Sequence, residues 1–144
     1  MSSDEEKIRQ MQALWSEKDA DKDAVGLSEL YAENGKYVSR RGELVGRDAI
    51  RQDLENRTAN SPANRRTMHL FGPPVISIDG DSAESVSAYV AYGRLGDDPW
   101  AVMTIGRFHC KLARQGDQWL FTEVANRAIG PAGGPATSQL QKQA

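Results

Sequence analysis

Arg65-Arg66-Thr67-Met68-His69-Leu70-Phe71-Gly72-Pro73-Pro74 is the stretch on which the reading of the fold turns. Everything before it reads as helical or as short hairpin, and everything after it reads as consecutive long strands, so this segment is the junction between the two halves. It also brings a side chain suited to proton chemistry into the first long strand. An imidazole exchanges a proton near neutral pH, and His69 is one of only two histidines in the chain. Thr67, His69 and Phe71 share one strand face and Met68 and Leu70 the other, and the period of two does not say which face is buried. A packing role for His69 stands beside a catalytic one at this point.

Toward the N-terminus, Ser3 followed by Glu6 fits a capping box, and Ile8, Met11, Leu14 and Trp15 recur at helical spacing. A first helix is expected from about Asp4 to Glu17. The acidic run Asp19-Ala20-Asp21-Lys22-Asp23 interrupts it and offers N-cap candidates for a second helix carrying Leu27, Leu30 and Tyr31 and ending at Asn34-Gly35. Lys36 to Val45 predicts a short hairpin turning through Arg40-Arg41-Gly42. A third helix is expected from Asp48 to about Arg57, burying only Ile50 and Leu54, with Thr58 to Asn64 a loop that could cover whatever the sheet encloses.

Toward the C-terminus, Gly72-Pro73-Pro74 removes two backbone donors and predicts a bend in the strand region Thr67 to Ile78. Asp79-Gly80 turns the chain into a strand from Ser82 to Leu95. A third strand runs from Trp100 to Leu112, with Val102, Thr104, Phe108, Cys110 and Leu112 on one face and Arg107, His109 and Lys111 on the other. Arg114-Gln115-Gly116-Asp117 leads to a last strand, Trp119 to Arg127. His109 shares a charged face, which favours a solvated or interface role over catalysis. Residues 130–144 are rich in Gly, Pro and polar side chains and are expected to be a flexible tail, leaving 1–129 as one domain.

Composition narrows the function classes. Eighteen basic and twenty acidic residues give a net charge of −2 and no broad positive field for nucleic acid. No apolar run is long enough to cross a bilayer, and Ser2-Ser3-Asp4-Glu5-Glu6 is unlike a basic secretory leader, so a cytoplasmic protein without membrane partners is expected. The single cysteine, Cys110, cannot form an internal disulfide and is expected to pack as a small hydrophobe. No phosphate-binding loop, HExxH or EF-hand pattern is present, so no metal or nucleotide cofactor is expected.

Several local features, in order, resemble the SnoaL-like branch of the nuclear-transport-factor-two-like superfamily. They are Leu30-Tyr31-Ala32-Glu33-Asn34 leading into Tyr37, Gly46-Arg47-Asp48-Ala49-Ile50, His69 itself, Asp79-Gly80-Asp81-Ser82-Ala83, Gly106-Arg107-Phe108 and Gly116-Asp117-Gln118-Trp119. The resemblance spans roughly Ile8 to Ile129. It implies an α+β, cone-shaped, half-open barrel in which a curved antiparallel sheet wraps around three N-terminal helices and encloses an apolar pocket. It further implies, by similarity to scytalone dehydratase and lindane dehydrochlorinase, that His69 is a general base paired with an aspartate from the end of the first helix. Counting from Trp15 and back from Tyr31 places Ala20 at that aspartate's position; a one-residue shift admits Asp19 or Asp21, and Asp21 is preferred because Asp21-Lys22 matches the dehydrochlorinase pattern. Substrate-polarising groups in such proteins come from the strands, which makes Tyr37, Tyr92, Asn126 and Arg127 the binding candidates. The implied activity is a cofactor-independent lyase or isomerase reaction on a small hydrophobic, cyclic or aromatic molecule, in a homodimer. The alternatives are a non-catalytic ligand-binding or dimerisation module and an accessory subunit resembling the small subunit of ring-hydroxylating dioxygenases.

Overall fold

A computed structural model describes residues 3–131. Three helices, α1 (Asp4–Ala20), α2 (Ala24–Glu29) and α3 (Arg47–Ala59), accompany seven strands: β1 (Tyr31–Ser39), β2 (Gly42–Val45), β3 (Arg65–Phe71), β4 (Val75–Asp79), β5 (Ser82–Leu95), β6 (Ala101–Gln115) and β7 (Gln118–Pro131). The strands form one curved, unclosed sheet in the order β2-β1-β7-β6-β5-β3, with β4 continuing beside β5 after the bend at Gly72-Pro73-Pro74. All neighbours are antiparallel except β1 and β7, which run parallel, so the expected antiparallel sheet is a mostly antiparallel one. That parallel pair follows from the chain reaching β7 from the opposite edge, through the meander, after β1 was laid down.

The capping box forms, with Ser3 Oγ accepting from the Glu6 N–H and Glu6 Oε2 accepting from the Ser3 N–H. α1 runs a turn beyond the expected Glu17. Its inner stripe is Ile8, Gln12, Trp15 and Asp19, all buried, at spacings of four, three and four that keep one helix face toward the sheet. Asp21 then caps the helix, Lys22 takes a left-handed conformation (φ 58°), and Asp23 caps α2 by accepting from the Gly26 N–H. α2 ends earlier than expected. Tyr31 belongs to β1, pairing with Phe121, and Asn34-Gly35 lies at an irregularity inside that strand instead of closing a helix. Gly35 sits there because a Cβ would approach the Phe121 carbonyl oxygen to 2.7 Å.

The concave face collects the core: Trp15, Leu27, Tyr31, Ile50, Leu54, Tyr89, Phe108, Cys110, Leu112, Trp119, Phe121 and Val124. Strand periodicity resolves accordingly. On β3, Thr67, His69 and Phe71 face inward, while Met68 and Leu70 are exposed. On β5 the inward residues are the small ones, Ala83, Ser85, Ser87 and Ala91, together with Tyr89. Small side chains there leave room for α1, and Gln12 Nε2 donates to Ser87 Oγ across that contact. The β5–β6 register shifts between Ala91 and Tyr92, so Val102 turns outward and does not share the face of Phe108 and Cys110 as the sequence pattern had it. A second shift lies at Ile105/Gly106, where any Cβ on Gly106 would collide with the Arg127 carbonyl oxygen. Burial pushes the Cys110 thiol up to about 12, in keeping with a packing role. β7 extends through Pro131, past the expected start of the tail; the remainder of that tail, residues 132–144, lies outside the described residues.

Candidate functional site

His69 lines a cavity of about 280 Å³ between α1, the β1–β2 hairpin and the inner faces of β3, β5, β6 and β7. An apolar cavity of about 150 Å³ suffices for benzene, so a substituted ring fits. Trp15 forms one wall, its ring edge-on to His69 at 5.2 Å and to Phe108 at 4.7 Å. Its indole N–H donates to Tyr31 Oη at 2.9 Å, which fixes the ring plane. The backbone at His69 is tied to α1 as well, because Ser16 Oγ donates to the His69 carbonyl at 2.7 Å.

The carboxylate beside His69 belongs to Asp19, not Asp21. His69 Nδ1 lies 3.4 Å from Asp19 Oδ2, and the two side chains are 14% and 5% exposed. The contact is off-line: Nδ1 makes no hydrogen bond among the described residues. Catalytic hydrogen bonds in ligand-free sites are often long and tighten when substrate binds. The physical reason for the correction is helical phase. Asp19 is four residues beyond Trp15 and shares its inward face, whereas Asp21, as the C-cap, is exposed on another side. Arg57 Nη2, from the last turn of α3, stands 3.9 Å from the other carboxylate oxygen, Asp19 Oδ1.

Burial is the main influence on the His69 proton. It holds the imidazole pKa below its ordinary value of 6.5; the Asp19 charge works against that, and the Arg57 charge adds to it. The ring is therefore neutral at pH 7, the state a base requires.

Of the binding candidates, the fold brings two to the cavity. Tyr37 on β1 and Asn126 on β7 both line it, and Asn126 Nδ2 donates to Tyr37 Oη at 3.1 Å. The Asn126 carbonyl oxygen in turn accepts from Tyr89 Oη, a residue the sequence pattern left unassigned. Both phenols are held neutral by burial, which pushes their pKa values up. Since Tyr37 Oη accepts from Asn126, its own proton remains available to an acceptor in the cavity. The other two candidates face away. Tyr92 lies beyond the register shift, opposite Val102, and Arg127 is exposed opposite Arg107, so both stand on the convex face. Tyr92 follows Ala91 onto the opposite face by plain alternation along β5, and Arg127 is turned outward by the irregularity at Lys111/Leu112, which shifts inward and outward positions on β7 by one. The cavity is also less apolar than expected, because Arg40, Arg41 and Arg57 line its rim. Among the described residues no group of three or more His, Cys, Asp or Glu side chains is placed to hold a metal ion, and no helix is long and apolar enough to cross a membrane.

A curved sheet closed on one side by helices around a partly buried histidine and a cavity of ring size defines a small-ligand-binding α+β cone. The chain belongs to the SnoaL-like domain family, whose model matches residues 1–125. No curated protein matches it. Solved structures with the same fold include an NTF2-like protein with a cystatin-like fold from Novosphingobium aromaticivorans, 24% identical, covering 95% of this chain and 88% of that one with a TM-score of 0.80. A proposed scytalone dehydratase from the same organism is 20% identical over 87% and 83% of the two chains, with a TM-score of 0.75. A proposed aromatic ring hydroxylase, again from that organism, is 17% identical over 89% and 90%, with a TM-score of 0.77. At these identities the likeness is one of fold.

Proposed function

We propose that the protein is a cofactor-independent lyase or isomerase in which His69, oriented by Asp19, removes a proton from a small cyclic or aromatic substrate. The observation that carries this reading is the neutral, partly buried imidazole 3.4 Å from a buried carboxylate in a ring-sized cavity. With the proton on the nitrogen facing Asp19, Nε2 holds the lone pair that accepts the substrate's proton. The electron pair left on carbon moves toward an adjacent carbonyl, whose oxygen receives a hydrogen bond from Tyr37. A leaving group on the next carbon then departs, giving elimination, or a proton returns at a different carbon, giving isomerisation. Asp19 stabilises the imidazolium formed meanwhile. Asn126 and Tyr89 act through Tyr37 as positioning residues.

The test is turnover of a panel of cyclic and aromatic β-hydroxy ketones, followed by absorbance of the conjugated product. His69→Gln should lower the rate by about a hundredfold to ten-thousandfold with an unchanged melting temperature, and His109→Gln should leave it alone. Parent-level turnover by His69→Gln rules the base out, and loss of folding in place of loss of rate returns His69 to a packing role.

The convex face also supports a homodimer. Met68, Leu70, Val102, Ile105 and Ile129 are exposed there beside Tyr92 and His109, an apolar group of the kind that self-association covers. Sedimentation should show a dimer at micromolar concentration, and Leu70→Glu together with Ile105→Glu should give a monomer; a parent that sediments as a monomer refutes it. A cytoplasmic setting accords with the lone buried thiol of Cys110.

A further inference from the structure

The His69 cavity opens at Asp19, Arg41, Arg57, Thr67 and Met103 into a wider cleft of about 510 Å³ bordered by the end of α3 and the start of β3. The chain as a whole carries a net charge of −2, yet five cationic side chains line these two joined spaces: Lys22, Arg40, Arg41, Arg57 and Arg65. Only two carboxylates, Asp19 and Asp53, stand against them. Asp53 Oδ2 is already shared, 2.8 Å from Arg57 Nε and 3.5 Å from Arg41 Nη2. The other three have no carboxylate within 4.0 Å among the described residues. Among the described residues the Arg40 side chain donates only to the Ala128 carbonyl at 3.3 Å, and the Arg65 side chain reaches only Met103 Sδ at 3.8 Å.

A concave site with low-dielectric walls focuses such an excess of one sign and raises the local concentration of the opposite one. The excess sits at the mouth, whereas the floor is aromatic: Trp15, Tyr37, His69 and Tyr89. We infer that the ligand is a ring-bearing carboxylate, its ring entering the His69 cavity and its carboxylate held at the mouth by Arg40 and Arg41. The planar guanidinium fork matches a carboxylate in geometry. The position of the ring against His69 rests on the catalytic reading above; the preference for an anion does not.

The test titrates the full chain with 2-naphthoate and with its neutral isostere 2-naphthamide, following the indole N–H of Trp15 and the ring protons of His69 by NMR. Naphthoate should bind at least about tenfold tighter, as charge-assisted hydrogen bonds require, and added salt should reduce that preference. The double variant Arg40→Gln, Arg41→Gln replaces two exposed side chains and should fold normally. It should lose most of the preference while binding naphthamide as the parent does. Equal affinity for the two ligands, binding of neither at millimolar concentration, or a preference that survives in the double variant overturns the inference. His69 reports separately: naphthoate preference with an unresponsive His69 supports the anion site and counts against the catalytic reading, whereas equal affinity with His69 responding does the reverse.

Discussion

Replacing Asp19 by Asn removes one charge from beside His69 and almost no volume, which makes it the sharpest probe of the proposed pair. At the observed 3.4 Å, a unit charge on the carboxylate stabilises an imidazolium by about 1 kcal/mol at the dielectric constant of water and about 5 at an effective value of 20. Each 1.36 kcal/mol is a factor of about ten in rate. Arg57, 3.9 Å from the same carboxylate, already offsets part of that field. Asp19→Asn should therefore slow turnover by about tenfold to a thousandfold, while Asp21→Asn, at an exposed cap, should leave the rate alone. A second readout needs no substrate. The Asp19 charge is the influence that raises the His69 pKa, against burial and Arg57, which lower it. An NMR titration of the His69 ring should thus show a lower pKa in Asp19→Asn than in the parent, and no change in Asp21→Asn. If Asp19→Asn leaves the His69 titration where it was, or if Asp21→Asn moves it, the pairing is wrong.

Tyr37→Phe keeps the ring and removes a phenolic hydroxyl whose proton makes no hydrogen bond among the described residues; loss of an oxyanion donor typically costs about a hundredfold to a thousandfold in kcat, so steady-state kinetics should show that fall with KM little changed. An unchanged kcat would take Tyr37 out of the mechanism. Stability should also depend on pH through His69. Its folded pKa is lowered from 6.5, so at pH values below 6.5 the unfolded chain takes up the proton more readily and the native state is penalised. The His69 contribution is whole above pH 6.5 and is lost as the pH falls toward the lowered folded value. Urea unfolding at pH 7.5 and 5.5 should show this difference, and it should shrink in His69→Gln; an equal pH dependence in both proteins would assign it to other groups.

Much of the architecture was legible in the chain because it is local. The capping box at Ser3 and Glu6, the bend at Gly72-Pro73-Pro74, the turn at Asp79-Gly80 and the narrow Ile50/Leu54 face of α3 each depend on neighbouring residues and their backbone preferences, and each forms as expected. The same holds for the presence of His69 on an early long strand. What local pattern could not supply was phase. Whether α1 stops at Glu17 or runs to Ala20 decides whether Asp19 or Asp21 faces the sheet, and that last turn is held by tertiary packing of Trp15 and Gln12 against the strands. One signal was present: Ile8, Gln12, Trp15 and Asp19 continue a single stripe, but its two polar members disguise it.

The strands make the same point. A single bulge exchanges the inward and outward faces of everything beyond it, so Val102 and Arg127 could be placed only once the registers at Ala91/Tyr92 and Lys111/Leu112 were known. Tyr89 was overlooked because its neighbours on the inner face are alanines and serines, which read as a solvent face until α1 is seen lying on them. The sequence by itself determined most of the helices, strands and turns, since those preferences are written within a few residues; Tyr31 to Gly35, which reads as helix, is strand because it pairs with β7. Only the tertiary structure decided which carboxylate meets His69, which tyrosines share its cavity, and that scattered arginines from the β1–β2 turn, α3 and β3 converge at its mouth, because those contacts join residues far apart in the chain and depend on how the sheet curves.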